Sequence, residues 1–304
     1  MSARPTPCAR LPGSAILWID AVTTKATPDR FLLAGVMGWP VMHSRSPALH
    51  GLLLKQNGLN GAYVPLAVKP EGLEAALKAL PALCFSGCNL TIPHKQRAMA
   101  FVDRVDDAAT RIGAISCVTV EEDGSLSATN NDHFGFIEGL IEADPHLQFD
   151  AGPIAVVGAG GGARGVVYGL VSRGAREIRL VNRTRERAEI LKRDIGGPIE
   201  VFPWEDRTDM LDGVIMLVNT TSQGMSGYPP LELDLDKLPK TALVSDIIYI
   251  PAETPLLAAA RARGSRTVNG LGMLLHQTRP AWESWFGIDP KITAELRAAI
   301  LATL

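Results

Sequence analysis

Apolar residues along this chain come in short continuous blocks, separated by longer stretches with helical spacing. Phe31 to Met37 is the first block, and a helix pattern from Ala48 to Asn57 follows and stops at Gly58. A second block, Ala62 to Val68, precedes a helix over Glu71 to Leu80. Cys88-Asn89-Leu90-Thr91-Ile92-Pro93-His94-Lys95 then carries an apolar strand into a proline at a helix start. Next come a helix over Asp103 to Ile112, a strand over Gly113 to Val120 and a turn at Glu121 to Gly124. A strand over Ser125 to Thr129 and a helix over Phe134 to Ala143 complete this half. Short continuous apolar blocks are strands buried on both faces, so strand–helix alternation predicts a mostly parallel sheet with helices outside it.

The second half repeats the alternation with a sharper signal. Ile154 to Val157 stops at Gly158-Ala159-Gly160-Gly161-Gly162-Ala163-Arg164-Gly165, a helix pattern runs from Val166 to Arg173, and Ile178 to Val181 is again a strand. In that context Gly158 permits a tight turn, Gly160 lets the backbone approach a pyrophosphate, and Ala163 lets helix pack on strand. The free N–H groups at the helix start then face the phosphates. Further strands are predicted over Ile199 to Phe202, Gly213 to Val218 and Ala242 to Ser245. Helices are predicted over Thr254 to Arg263, Met273 to Phe286 and Lys291 to Leu304.

The end of the second strand of this unit selects the dinucleotide. An NAD-binding chain places Asp or Glu about 20 residues after the glycines to accept from the ribose hydroxyls. Here the sequence reads Asn182-Arg183-Thr184-Arg185-Glu186-Arg187. Guanidinium forks donate bidentately to phosphate oxygens, so the reading is NADP, with its 2′-phosphate.

Length and composition bound the rest. A chain of 304 residues is expected to hold two domains. The alternation sets them as an α/β substrate domain over 31–145 and a Rossmann dinucleotide domain over 146–270, with a cleft between. The helices of 271–304 follow. Residues 1–30, rich in Pro, Ala, Thr and Arg, read as a loose extension whose patch Ala15 to Ile19 is too short for a secretory signal. The formal net charge of -2 gives no footprint for nucleic acid or an anionic membrane, and no apolar run reaches the length of a span. Cys8, Cys84, Cys88 and Cys117 are scattered without metal-ligand spacing. They read as small apolar residues of a reducing compartment, and the expectation is a cytoplasmic protein with no metal. Monomer and homodimer both stay open.

Candidate chemistry gathers where strands end. Ser44 and Ser46 precede Pro47 at a helix entry, and simple capping is an equal reading. Lys95 lies past a strand's carboxyl end, where open α/β sheets bind ligands, and burial would suit it to proton transfer. An exposed first-turn lysine is the bland alternative. Asp132, in Asn130-Asn131-Asp132-His133, reads on its own as a helix cap.

Taken together these pieces resemble the shikimate dehydrogenase family, whose members reduce 3-dehydroshikimate with NADPH. The matching motifs run from Gly38 to Gln277. They are Gly38-x-Pro40-x-x-His43-Ser44-x-Ser46-Pro47, Asn89-x-Thr91-x-Pro93-x-Lys95, Gly113-Ala114-Ile115 and Asn130-x-Asp132 in the first half. In the second they are Gly158-Ala159-Gly160-Gly161, Asn182-Arg183-Thr184-x-x-Arg187, Asn219-x-Thr221-Ser222-x-Gly224-Met225, Asp246-x-x-Tyr249 and Gly270-Leu271-Gly272-Met273-Leu274-x-x-Gln277. The resemblance implies that Ser44 and Ser46, with Tyr249 nearby, hold the substrate carboxylate. It implies that Thr91, Ser116, Asp132 and Gln277 meet ring hydroxyls, and that Lys95 and Asp132 form the catalytic pair. For NADP it implies Gly158, Ala159, Gly160, Gly161, Gly162, Asn182, Arg183, Thr184, Arg187 and Thr221. Ile247 and Gly270 would line the nicotinamide, and Asp107 holds a cofactor-contacting position. The implied substrate is a hydroxy or keto cyclohexene carboxylate.

The chain departs from the family pattern at the substrate end. Relatives usually read Gly-Ala-Val-Asn-Thr where this chain has Gly113-Ala114-Ile115-Ser116-Cys117, and Gly where it has His133. A serine hydroxyl offers less than a carboxamide. Two further readings therefore stand beside shikimate dehydrogenase: a paralogue acting on quinate or an aminoshikimate, and a catalytically weak dinucleotide-binding regulator.

Overall fold

A computed structural model describes residues 31–304; the reading of 1–30 as a loose extension lies outside the described residues. The first half runs β1 (Leu32–Gly38), α1 (Ser46–Gln56), β2 (Gly61–Ala67), α2 (Leu73–Ala79), β3 (Gly87–Leu90) and β4 (Arg104–Val105). It continues with α3 (Asp107–Ile112), β5 (Cys117–Val120), β6 (Leu126–Thr129) and α4 (Asp132–Ala143). The second runs β7 (Ile154–Val157), α5 (Gly161–Ser172), β8 (Ile178–Val181), α6 (Arg185–Ile195), β9 (Ile199–Phe202), β10 (Met216–Asn219) and β11 (Leu243–Asp246). It ends with α7 (Pro255–Ala262), β12 (Arg266–Val268), α8 (Leu271–His276), α9 (Thr278–Phe286) and α10 (Ala294–Leu301).

Two six-stranded sheets result, ordered β2-β1-β3-β5-β6-β4 and β12-β11-β10-β7-β8-β9. Every pairing in the second is parallel, and its order is that of dinucleotide-binding folds, with the strand order reversing between β7 and β10. The first sheet is mostly parallel as expected, with one exception. β5 runs antiparallel to both β3 and β6. The reason is the tight turn after β5, where Gly124 takes φ +82° and Asp123 Oδ1 accepts from Ser125 N at 2.9 Å. So short a connection can only reverse a chain.

α4 leaves the first sheet and packs between α5 and α8 of the second half. Its glycines set the closeness: a Cβ on Gly139 would stand 2.8 Å from the backbone carbon of Gly272. The predicted helix from Met273 to Phe286 is broken at Gln277, because Pro280 has no N–H for the carbonyl four residues back. The last helices return to the first half, where Trp282 Nε1 donates to His50 Nδ1 at 2.8 Å and Trp285 Nε1 to the Val118 carbonyl at 3.0 Å. Among the described residues no helix is long and apolar enough to cross a membrane.

His50 gives this docking a pH dependence. It is stacked on Tyr63 with ring centroids 3.8 Å apart, and burial pushes its pKa down to about 3. Above the ordinary value of 6.5 the imidazole is neutral whether folded or unfolded, and its contribution to stability is complete. As pH falls from 6.5 towards about 3 the unfolded chain takes up a proton that the folded chain refuses. Stability then drops by up to about 1.4 kcal/mol per pH unit. A His50→Gln protein, which keeps an acceptor for Trp282, is expected to show a flatter decline of Tm over that window. An equally steep decline would remove His50 as its source.

Candidate active site

The parallel pairing of β1 with β3, and the double reversal through β5 to β6, put the carboxyl ends of β1, β3 and β6 on one edge. The start of β5 lies there too. That edge carries Gly38 to Ser46, Thr91 to Lys95, Gly113 to Ser116 and Asn130 to Asp132, the polar segments singled out in the sequence.

Lys95 does not open a regular helix as the proline suggested. The Ile92–Pro93 bond is cis, and turns lead to one 3-10 stretch over Arg97–Phe101. His94 anchors this loop, its Nε2 lying 2.8 Å from the Val68 carbonyl, while Ile115 N donates to the Lys95 carbonyl at 2.8 Å. The Lys95 ammonium donates to Asp132 Oδ2 at 2.5 Å, with the lysine side chain 18% and the aspartate 2% exposed. Asp132 is the first residue of α4, not its cap, so its carboxylate sits at the positive end of the helix dipole. Its N–H is held by Asn130 Oδ1 at 3.0 Å, and Asn130 Nδ2 donates to the Ala114 carbonyl at 2.9 Å. Gly165 of α5 backs it: a Cβ there would stand 2.9 Å from the Asp132 Cβ. An ammonium and a carboxylate in contact, with only the ammonium reaching solvent, can serve as a proton donor and the group that orients it.

The other predicted substrate residues stand after β1, β3 and β11, at the start of β5 and at the break between α8 and α9. Ser44 Oγ accepts from Ser46 N at 3.2 Å, and Ser46 is the buried first residue of α1. Neither hydroxyl caps the helix in the usual way, since Arg45 holds the cap position without a side-chain bond. Tyr249, beyond β11, reaches across to Arg45. Burial pushes its phenol up, and the Arg45 charge and backbone work the other way. Thr91 lies against Gly38, where a Cβ would stand 2.4 Å from the Thr91 methyl. Gln277, half-buried at the break between α8 and α9, lies on Gly135 in the first turn of α4. Ser116 is buried and already employed, its Oγ accepting from Asn131 N at 2.8 Å. His133 turns its ring edge-on to Tyr168 at 5.2 Å, and burial lowers its pKa.

The second half carries its glycine loop between β7 and α5. α5 begins at Gly161, five residues before the predicted start, so the glycine loop runs straight into the helix. Gly158 has φ +110° and stands where a Cβ would be 2.5 Å from Thr220 Oγ1. Around Gly160 and Gly161 a Cβ would meet nothing within 4 Å, so the backbone there is open. Ala159 N donates to Asn182 Oδ1 at 3.1 Å, joining the glycine turn to the end of β8. Asn182 Nδ2 in turn donates to the Thr184 carbonyl at 2.7 Å. Arg183 and Arg187 are exposed and, among the described residues, form no ion pair within 4.0 Å, whereas Arg185 pairs with Glu189 at 3.2 Å. Thr221 Oγ1 donates to Asn219 Oδ1 at 2.8 Å, and Asn219 Nδ2 to Asp246 Oδ2 at 3.1 Å. Ile247 faces the loop from the other side, its Cδ1 2.9 Å from a Cβ built on Gly162. Gly270 packs on Ile247, with room for no Cβ: one would lie 2.0 Å from the Ile247 carbonyl oxygen. Asp107 is exposed at the first position of α3, a helix that packs on α5 and α6.

Three residues at the junction carried no assignment in the sequence reading. Asn130 was legible only as part of a motif. Arg164 and Gly165 follow the glycine run, and only the approach of α4 and α3 reveals their use.

The family described as shikimate dehydrogenase substrate binding domain matches residues 36–118, and shikimate / quinate 5-dehydrogenase matches residues 142–225. A shikimate dehydrogenase (NADP(+)) of Paramagnetospirillum magneticum is 52% identical over 89% of this chain and 98% of its own. Among solved structures, shikimate 5-dehydrogenase of Thermus thermophilus in complex with NADP(H) and shikimate is 33% identical, with TM-score 0.81, covering 90% of this chain and 100% of that one. Quinate dehydrogenase of Corynebacterium glutamicum in complex with NAD is 30% identical, with TM-score 0.82, covering 90% and 99%. Both halves of the motif set, the two-sheet fold and these likenesses agree, and the chain belongs to the shikimate dehydrogenase family.

Proposed function

We propose that this protein is an NADP-dependent dehydrogenase that interconverts 3-dehydroshikimate and shikimate. The observation that carries the reading is the Lys95–Asp132 contact at 2.5 Å, backed directly by Gly165 on the helix that leaves the glycine loop. A proton-transfer pair and a dinucleotide cradle thus share one junction.

NADPH, when bound, supplies the hydride. The open backbone at Gly160 and Gly161 fits its pyrophosphate, and Arg183 and Arg187 fit its 2′-phosphate. Gly158, Ala159, Gly162, Asn182, Thr184 and Thr221 shape the cradle, Ile247 and Gly270 flank the nicotinamide, and Asp107 is assigned to the cofactor's rim. Ser44, Ser46 and Tyr249 hold the substrate carboxylate, and Thr91, Ser116 and Gln277 its hydroxyls. In the reductive direction Lys95 gives a proton to the carbonyl oxygen as hydride reaches the carbon, and in the oxidative direction it takes the proton back. Asp132 fixes the ammonium and accepts from the neighbouring substrate hydroxyl.

The division of labour follows: 31–145 binds substrate, 146–270 binds NADP, and 271–304 returns Gln277 to the first half. The protein acts in the cytoplasm on small molecules, without nucleic acid or membrane, as a monomer or homodimer. The test is NADP+ reduction with shikimate and with quinate, each repeated with NAD+. Turnover of shikimate with NADP+ well above the other three combinations supports the reading; preference for quinate or for NAD+ would replace it.

Ser116 sharpens the substrate question. The Ser116 hydroxyl accepts from the Asn131 N–H and keeps its own O–H for the substrate, one bond fewer than the carboxamide of relatives offers, and a hydrogen bond left unmade there costs about 1–3 kcal/mol. Ser116→Asn is therefore expected to raise kcat/KM on shikimate about 5- to 150-fold if the new amide reaches the ring. Unchanged ratios across shikimate and quinate would show that this position does not set specificity.

A further inference from the structure

Arg164 is an arginine with 4% of its surface exposed, on the helix that leaves the glycine loop, and no step above uses it. Its backbone N–H donates to the Gly160 carbonyl at 3.2 Å, so it sits one turn into α5 from the pyrophosphate cradle. Its Nε donates to the Ile112 carbonyl at the end of α3, and its Nη2 donates to Asp194 Oδ2 of α6 at 2.7 Å. A buried guanidinium with both bonds satisfied holds its partners in a fixed geometry that a flexible ammonium cannot copy.

What Arg164 holds is the short segment on which both catalytic groups depend. Gly113, with φ +70°, has no Cβ, and one built there would lie 2.5 Å from Arg164 Nη2. The next residue, Ala114, accepts from Asn130 Nδ2 at 2.9 Å, and Asn130 Oδ1 holds the Asp132 N–H at 3.0 Å. The residue after that, Ile115, donates to the Lys95 carbonyl at 2.8 Å. Four consecutive residues thus touch, in order, the cofactor helix, the support of Asp132 and the backbone of Lys95.

We propose that Arg164 is a positioning residue that ties the cofactor helix to the Lys95–Asp132 pair, setting their alignment towards the bound nicotinamide. The inference rests on the dehydrogenase reading above. The partner Asp194 is a secondary anchor: its side chain is 31% exposed, while the Ile112 carbonyl is the contact that reaches the site.

The test compares wild type, Arg164→Lys, Gly113→Ala and Asp194→Asn for kcat, for KM of both substrates, for the pH profile of kcat and for Tm. Arg164→Lys keeps the charge and cannot fill both bonds. It is expected to lower kcat about 10- to 100-fold, a loss of alignment being felt mainly in the transition state, and to move the limbs of the pH profile. KM values and the affinity for NADPH should stay within about 3-fold, since the Arg164 side chain is buried and spends its bonds on protein groups. Gly113→Ala, which pushes the guanidinium aside, should reproduce that pattern and carries the test if Arg164→Lys does not fold. Asp194→Asn should leave kcat within about 3-fold, as the loss of a partly exposed ion pair is small. A folded Arg164→Lys or Gly113→Ala protein with wild-type kcat and pH profile would overturn the proposal, as would losses confined to Tm. If wild type itself fails to turn over shikimate, the dehydrogenase reading fails and this inference falls with it.

Discussion

Lys95→Ala is expected to lower kcat for 3-dehydroshikimate reduction by about 10²–10⁴, the range for a positioned general acid. The fall in substrate affinity should be modest, because the ammonium is needed most as charge develops on the carbonyl oxygen in the transition state. The size of the effect follows from the site's economy of groups. Lys95 is the cation in contact with the buried carboxylate at this edge, and its Nζ lies 2.5 Å from Asp132 Oδ2. Removing it leaves Asp132, 1% exposed, as a buried carboxylate facing the substrate without a counter-charge. Asp132→Asn should also lower kcat, but by misdirecting the ammonium and not by removing the proton source. The check is steady-state kinetics on both variants, with NADPH affinity measured separately. A Lys95→Ala enzyme with kcat near wild type would place the proton transfer elsewhere.

The second large effect is expected at the far end of the cradle. Replacing Arg183 and Arg187 together by Ala should erase most of the preference for NADPH over NADH. A hydrogen bond to a charged group contributes about 1.5–3 kcal/mol, so two guanidiniums on one phosphate give about 3–6 kcal/mol before screening. Both arginines are exposed, so solvent and salt reduce that, and a loss of about 10²-fold in the ratio of kcat/KM values is the expected result. Arg185→Ala, by contrast, should leave the ratio nearly unchanged, because Arg185 pairs with Glu189 and does not stand free for a ligand. A double variant that discriminates as wild type does would show that the 2′-phosphate lies elsewhere.

Much of this was legible in the chain because the signals are local. Gly158, with φ +110°, marks a turn that most side chains resist, and the apolar blocks on either side fix the strands it joins. The arginines after β8 needed no tertiary knowledge. Other features are properties of approach, which periodicity does not encode. The apolar pattern from Gly113 to Val120 suggests one strand, yet Gly113 packs on Arg164, Ala114 accepts from Asn130 and Ile115 donates to the Lys95 carbonyl before the strand begins. Gly165 resembles any helical glycine until Asp132 packs against it. Helix starts moved for a related reason: Gly161 to Gly165 score as loop residues and become helical because strand and cradle fix them there. The antiparallel β5 is legible in the chain, because a turn as short as Glu121 to Gly124 can only reverse it.

The two departures from the family pattern also look different in three dimensions. His133 has turned to Tyr168, so its imidazole packs at the junction of α4 and α5. Ser116 supports the turn into α4 through the Asn131 N–H. Both residues are thus built into the framework that carries Asp132.

Reduction of 3-dehydroshikimate by NADPH deuterated at both C4 positions tests the central claim most directly. The account predicts that NADPH is consumed, that one deuterium appears on the carbinol carbon of the shikimate formed, and that NADH supports at most about a hundredth of the kcat/KM. No NADPH consumption above the enzyme-free rate, or product without deuterium at that carbon, would contradict it.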